Sequence, residues 1–144
     1  MPKFRSLQVR DCPGVLWAIY REYEGRAIAS FEGDLSALRF EEFLGCTFEP
    51  TAALPRQTQE PLMDFVCVPI TSWNLVALQR LLAEPGMFGE DGAIIHTQVS
   101  MREEPILVAC DNFHDDCTVA SAVVPASLLA RLQANGVLRG YSEV

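Results

Sequence analysis

From residue 65 to residue 141 the chain is cut into short apolar stretches by turn-forming residues, a cadence that limits it to short strands and helices in tight succession. Residues 65–70 are apolar on both faces, the pattern of a central strand. Thr71 or Ser72 then caps a helix with a stripe of Leu75, Leu78 and Leu82, ended by Pro85-Gly86. Ile95, Thr97, Val99 and Met101 alternate with His96, Gln98, Ser100 and Arg102, as in a half-buried strand. A turn at Glu103-Glu104 leads to a strand over 106–110, and residues 118–124 form another. Pro125 opens a helix carrying Leu128, Leu129 and Leu132, Asn135-Gly136 closes it, and a short strand over 137–141 ends the series. Residues 65–88 and 118–138 echo each other in pattern, as two strand–helix units whose helices share one face of a sheet.

The first thirty residues read as three strands, around Leu7 and Val9, over 15–20 and over 27–31, which predicts an antiparallel meander. Between 34 and 44 two readings stand: a short helix capped by Asp34 and stopped by Gly45, or a strand over 35–40. Residues 46–64 hold Pro50, Pro55 and Pro61 with few apolar side chains, so they form a long loop, either a flap over a site or a surface excursion. The sum is an α+β fold, one domain over 1–144, with a mostly antiparallel sheet and two or three helices packed on one face.

Charge narrows the function classes. The 144 residues carry 11 basic and 19 acidic groups, for a net −8. Residues 1–31 contribute +2 and residues 32–144 contribute −10. An acidic surface repels phosphate backbones, which argues against nucleic acid; it favours solubility and attracts a basic protein partner. The longest apolar run, residues 14–20, falls far short of the ~18 residues of a membrane helix. The N-terminal residues 1–8 alternate polar and apolar groups without a secretory block, so the expected compartment is the cytoplasm. Cys12, Cys46, Cys67, Cys110 and Cys117 are odd in number and form no Cys-x-x-Cys, which predicts free thiols. No phosphate-loop, dinucleotide, nucleophile-elbow or His-Glu-x-x-His motif occurs, and no cofactor is implied.

The densest collection of reactive groups is the octet 110–117, in which Cys110, Asp111, His114, Asp115, Asp116 and Cys117 form a candidate binding loop. Its Cys-x3-His-x2-Cys offers zinc three ligands of the four it wants. It has no glycine to turn a calcium loop, so no metal is assigned. A thiol nucleophile helped by His114 is opposed by the loop's carboxylates, which hold a thiol protonated. As a turn, the octet joins two antiparallel ribbons and presents its polar atoms at the rim, with Phe113 tucked into the core edge. The second candidate is the polar strand face of His96, Gln98, Ser100 and Arg102, which becomes a groove if the proline-containing loop stands over it. A third is the aromatic and acidic group of Trp17, Tyr20, Glu22, Tyr23 and Glu24, the composition of a binding hot spot or of core packing.

These features predict a small acidic protein-interaction module with a basic protein partner. The reading rests on analogy of size and charge with the neutralising members of toxin–immunity pairs. The alternative is a small enzyme or a ligand- or metal-binding domain that uses the 110–117 loop and the His96 strand face.

Overall fold

Alternation along the strands builds the fold's two faces. In a computed structural model, which describes residues 3–144, Ala27, Ala29 and Phe31 point to one face of β2 (Ala27–Gly33), and Ile28, Ser30 and Glu32 point to the other. Met1 and Pro2, at the start of the N-terminal segment read above, lie outside the described residues. The remaining strands are β1 (Phe4–Val9), β3 (Asp64–Ile70), β4 (Ile94–Met101), β5 (Glu104–Ala109), β6 (Thr118–Ser121) and β7 (Leu138–Glu143). The helices are α1 (Cys12–Glu22), α2 (Ser72–Ala83) and α3 (Ala126–Ala134). All seven strands join one sheet in the order β3-β2-β4-β5-β6-β1-β7, and every neighbouring pair is antiparallel. The expected α+β architecture is what forms.

Those pairings make β3 and β4 run the same way with β2 between them, and β6 and β7 the same way with β1 between them. The two strand–helix units that echo in sequence are thus the same local topology, a strand–helix–strand turn that leaves room for one antiparallel insert. One face of the sheet, with Phe31, Val66, Val68 and Val99, packs with Leu16 and Tyr20 of α1, Leu78 of α2 and Leu129 of α3 in the main core. No helix among the described residues is long and apolar enough to cross a membrane.

The N-terminal meander is corrected. Residues 15–20 are helix, not strand, and β1 and β2 are separated by three strands of the sheet. An apolar run with Trp17 and Ile19 opposite Leu16 and Tyr20 suits a strand, but Val15, Leu16, Ile19 and Tyr20 also make one helical face, and all four are buried. The local signal that decides is Asp11, whose carboxylate accepts the Gly14 N–H at 3.0 Å, with Pro13 in the first turn.

Between 34 and 44 neither a full helix nor a strand forms, only a 3₁₀ turn over Phe40–Glu42. Asp34 turns back on Ser36, accepting from its N–H at 3.1 Å and its hydroxyl at 2.7 Å, so its carboxylate does not cap a helix. Farther along, the segment is fixed from outside. Asn74, fully buried in the first turn of α2, accepts the Leu44 N–H at 2.8 Å and donates to the Leu44 and Pro69 carbonyls.

Candidate functional site

The octet 110–117 connects β5 to β6, which pair antiparallel as expected. Its backbone is unusual: Asp111, Asn112 and Phe113 have φ of 50°, 58° and 64°, three consecutive left-handed residues without a glycine. Asp and Asn tolerate that conformation, and Phe does so only under constraint. Asn112 supplies it. Its N–H donates to the Ile95 carbonyl at 2.7 Å, and its side-chain amide donates to the Gly92 and Ile94 carbonyls. Phe113 is then buried in the main core, as is Cys110 in its own surroundings, while Asp111, His114 and Asp116 face solvent.

This geometry disperses the octet's reactive groups. The His114 ring accepts the Asp116 N–H on Nδ1 at 3.1 Å, with its side chain 60% exposed. Asp115 is held by Arg139, whose Nη2 lies 2.7 Å from both carboxylate oxygens. Cys117 Sγ is directed to the Cys110 carbonyl at 3.4 Å and to Asp111 Oδ2 at 3.7 Å. Burial pushes the Cys110 thiol up to about 12, helped by Cys117, Asp111 and Glu32. Cys117 is raised as well, by burial and then by Asp111. Both thiols therefore stay protonated and weakly nucleophilic at neutral pH. Among the described residues, no three His, Cys, Asp or Glu side chains gather as metal ligands would.

The polar strand face has a different fate. Residues 46–64 fold across it, beginning with a two-bond bridge between Thr47 and Cys67 and with Leu54 buried against Phe65 and Cys67. Beneath them lie His96 and Gln98 together with Ser30 and Glu32, each 3% exposed or less. Gln98 donates to the Pro55 carbonyl at 2.7 Å and accepts from the Gln57 side chain at 3.1 Å. Glu32 accepts the backbone N–H groups of Gln57 at 2.8 Å and Thr58 at 3.2 Å. His96 is gripped from both sides, by Thr58 Oγ1 at 2.7 Å on Nε2 and by the Asp111 N–H at 3.1 Å on Nδ1. The loop and the octet thus meet at one imidazole.

That grip sets the tautomer. A backbone N–H only donates, so Nδ1 is the acceptor and the neutral ring carries its proton on Nε2, donating to Thr58. A general base toward the Thr58 hydroxyl needs the opposite arrangement. His96 in this geometry is a structural clasp.

Three of the four residues stay on one face: His96, Gln98 and Ser100 pair with Glu32, Ser30 and Ile28 of β2, with Ser100 beyond the part that the loop seals, while Arg102 leaves the strand altogether. Arg102 and Glu103, with φ of 52° and 64°, are the two central residues of the β4–β5 hairpin turn. The turn is therefore one residue earlier than the Glu103-Glu104 expectation. Ser100 and Arg102 border an open cavity of ≈ 370 Å³ beside the loop.

Of the two readings of the aromatic group near residues 17–24, core packing is the one that forms: Tyr20 and Tyr23 are buried and Trp17 is half-buried against the core. The exposed indole is Trp73, at 65%, on α2 beside Val76 at 56% and Leu44 at 57%. These three, with Glu41, Glu42 and Arg80, frame a concave surface of ≈ 560 Å³. It continues past Ala77 and Arg80 into a second groove of ≈ 310 Å³ floored by Leu38, Phe43, Leu81 and Met87. The signal in the sequence was the pair Trp73 and Val76, apolar residues three apart that fall off the inward leucine stripe. Glu32 lies one residue beyond the strand expected over 27–31, and nothing local marks it for burial. Set against family models, curated proteins and solved structures, the chain matches none of them.

Proposed function

We propose that this protein is an interaction module that docks a basic protein partner on the α2 surface around Trp73. The observation that carries the reading is an exposed indole, flanked by Val76 and Leu44, in a concave patch rimmed by Glu41 and Glu42. Large apolar side chains left in water beside one another are characteristic of contact surfaces, and Trp is the commonest anchor. Asn74 holds the Leu44 backbone against α2, so the patch is built in advance and docking costs little ordering. The occupant is a protein carrying an apolar side chain amid Lys or Arg, because the rim is acidic and the chain's net charge is −8. The Arg80–Glu42 contact, at 3.8 Å and well exposed, is weak and does not neutralise Glu41. Nucleic acid is disfavoured by the same charge. Five free cysteines suit a reducing compartment such as the cytoplasm.

The test is a selection from a displayed library of random peptides, followed by fluorescence anisotropy of synthesised hits. The expected hits are basic with an aromatic or aliphatic anchor and weaken as salt rises from 50 to 500 mM. Trp73→Ala weakens them by ~30-fold, the size of a hot-spot truncation, and Glu41→Lys weakens them further. Acidic or neutral hits, or hits that bind the Trp73→Ala protein equally well, overturn the proposal. A Trp73-dependent homodimer in light scattering also overturns it, since the occupant is then a second copy. A small-ligand reading draws on the cavity beside Ser100, on the opposite face of the sheet from the core.

A further inference from the structure

The loop 46–64 covers only part of the sheet face on which it lies. Ser30 and Glu32 of β2 are sealed beneath it, yet Ile28 on the same strand face is 42% exposed. Ile28 pairs with Pro69 on one side and Ser100 on the other, and β2 is an inner strand, so this is an apolar patch of sheet left open by its own lid. The loop supplies the side wall through Thr51, Ala53 and Leu54. The resulting cavity of ≈ 370 Å³ falls in the range of small-molecule sites.

Two polar groups at this cavity lack partners within the protein. Ser100 is 5% exposed, lines the cavity, and its hydroxyl has no hydrogen-bond partner among the described residues. The Arg102 guanidinium, at the rim, makes no hydrogen bond or ion pair among the described residues. The second rim arginine, Arg26, is committed elsewhere: it donates to the Glu22 carbonyl at 2.7 Å and lies over the Tyr23 ring. A solvent-reachable hydroxyl without a protein partner and an unpaired guanidinium above an apolar floor match an anionic head on an aliphatic body.

We infer that the cavity between Ile28, Leu54 and Ser100 binds a small amphipathic monocarboxylate, with its head on Arg102 and its body on Ile28. The head is a monoanion because Glu103 also lines the cavity and the chain's net charge is −8, so a second negative charge is repelled. Carboxylate geometry meets the planar fork of Arg102 edge-on, and the Ser100 hydroxyl then donates to the same head. This site lies apart from the Trp73 surface and does not depend on it.

The experiment is a titration of the full-length protein with sodium octanoate, followed by ¹H–¹⁵N NMR shifts, with octylamine, octyl phosphate and inorganic phosphate as parallel probes. The expected result is saturable shifts at Ile28, Leu54 and Ser100 for octanoate alone or octanoate most strongly, and none for octylamine or inorganic phosphate. Arg102→Asn weakens octanoate at least ~10-fold. Asn tolerates the positive φ of this turn, so the variant keeps the hairpin. Ser100→Ala weakens it several-fold, which separates a head-group role for Arg102 from a change in the turn. The inference is overturned by an absence of saturable shifts, by equal binding of octylamine, by tighter binding of octyl phosphate, or by octanoate shifts that persist unchanged in Arg102→Asn. Shifts centred on Trp73 instead of Ile28 overturn it as well.

Discussion

Glu32→Ala should release the loop 46–64 from the sheet while leaving the rest of the fold in place. Glu32 is 1% exposed and its carboxylate accepts two backbone N–H groups from the loop, at 2.8 Å from Gln57 and 3.2 Å from Thr58. Hydrogen bonds to a charged acceptor stabilise by about 1.5–3 kcal/mol each, net of desolvation. The longer Thr58 bond belongs at or below the bottom of that range, so the pair holds the loop down by about 2–4 kcal/mol. Removing it also strips two donors of their partner. Because about 1.4 kcal/mol is a tenfold change in an equilibrium, the open population rises at least ~30-fold. Arg56 sits in the loop, one residue before Gln57, and is half-buried beside Phe65 with its guanidinium on the Met63 carbonyl. Trypsin cleavage after Arg56 therefore reports opening, with cleavage after Arg80 inside α2 as the control for global unfolding. The expected result is a selective rise of ~30-fold or more at Arg56. Glu32→Gln, which keeps one acceptor oxygen but turns an amide donor toward the second N–H, gives an intermediate rise. Equal acceleration at Arg56 and Arg80, or no change at Arg56, would refute the reasoning: the loop would then be held by Leu54 and the Thr47 bridge, and the carboxylate would contribute nothing to its docking.

Two further expectations concern the octet and the thiols. Asn112→Ala removes the amide bonds to Gly92 and Ile94 and puts at φ 58° a residue that tolerates the left-handed region less well than asparagine, so urea unfolding should show a loss of about 2–4 kcal/mol, with Asn112→Gly losing less because glycine accepts that backbone. The Cys110 thiol is pushed by burial from 9.0 up to about 12, and Cys12 up to about 11 by burial and then Asp11. A thiol raised in the fold contributes stability that is intact below its unfolded value and lost as pH climbs from there toward the folded one. Urea midpoints should therefore hold from pH 7 to 8.5 and fall by pH 10.5, with Cys110→Ala removing about 2 kcal/mol of that pH dependence. An unchanged midpoint at pH 10.5 would remove burial as the cause.

The strands of the second half were legible because their signals are local. Residues 65–70 and the alternation from Ile95 to Met101 carry the strand period, and Thr71, Pro85 and Pro125 punctuate the helices where they begin and end. Residues 15–20 misled because a short apolar run fits both periods, and only the Asp11 cap, a single hydrogen bond, marks a helix start. The octet's place between paired strands was legible as well; its left-handed turn was not, since the bonds that impose it come from residues 92–95.

The sequence by itself determined which side chains share a strand face and which segments are strand or helix in the second half, because alternation and capping act over a few residues. Tertiary structure alone decided what covers each face. His96, Gln98 and Glu32 became buried clasps because a loop 25 to 41 residues away in the chain lies over them, while Ile28 and Trp73 stayed exposed because nothing does. Burial is a property of long-range packing, and the same polar or apolar residue is a strut or a contact according to what the rest of the chain sets on top of it.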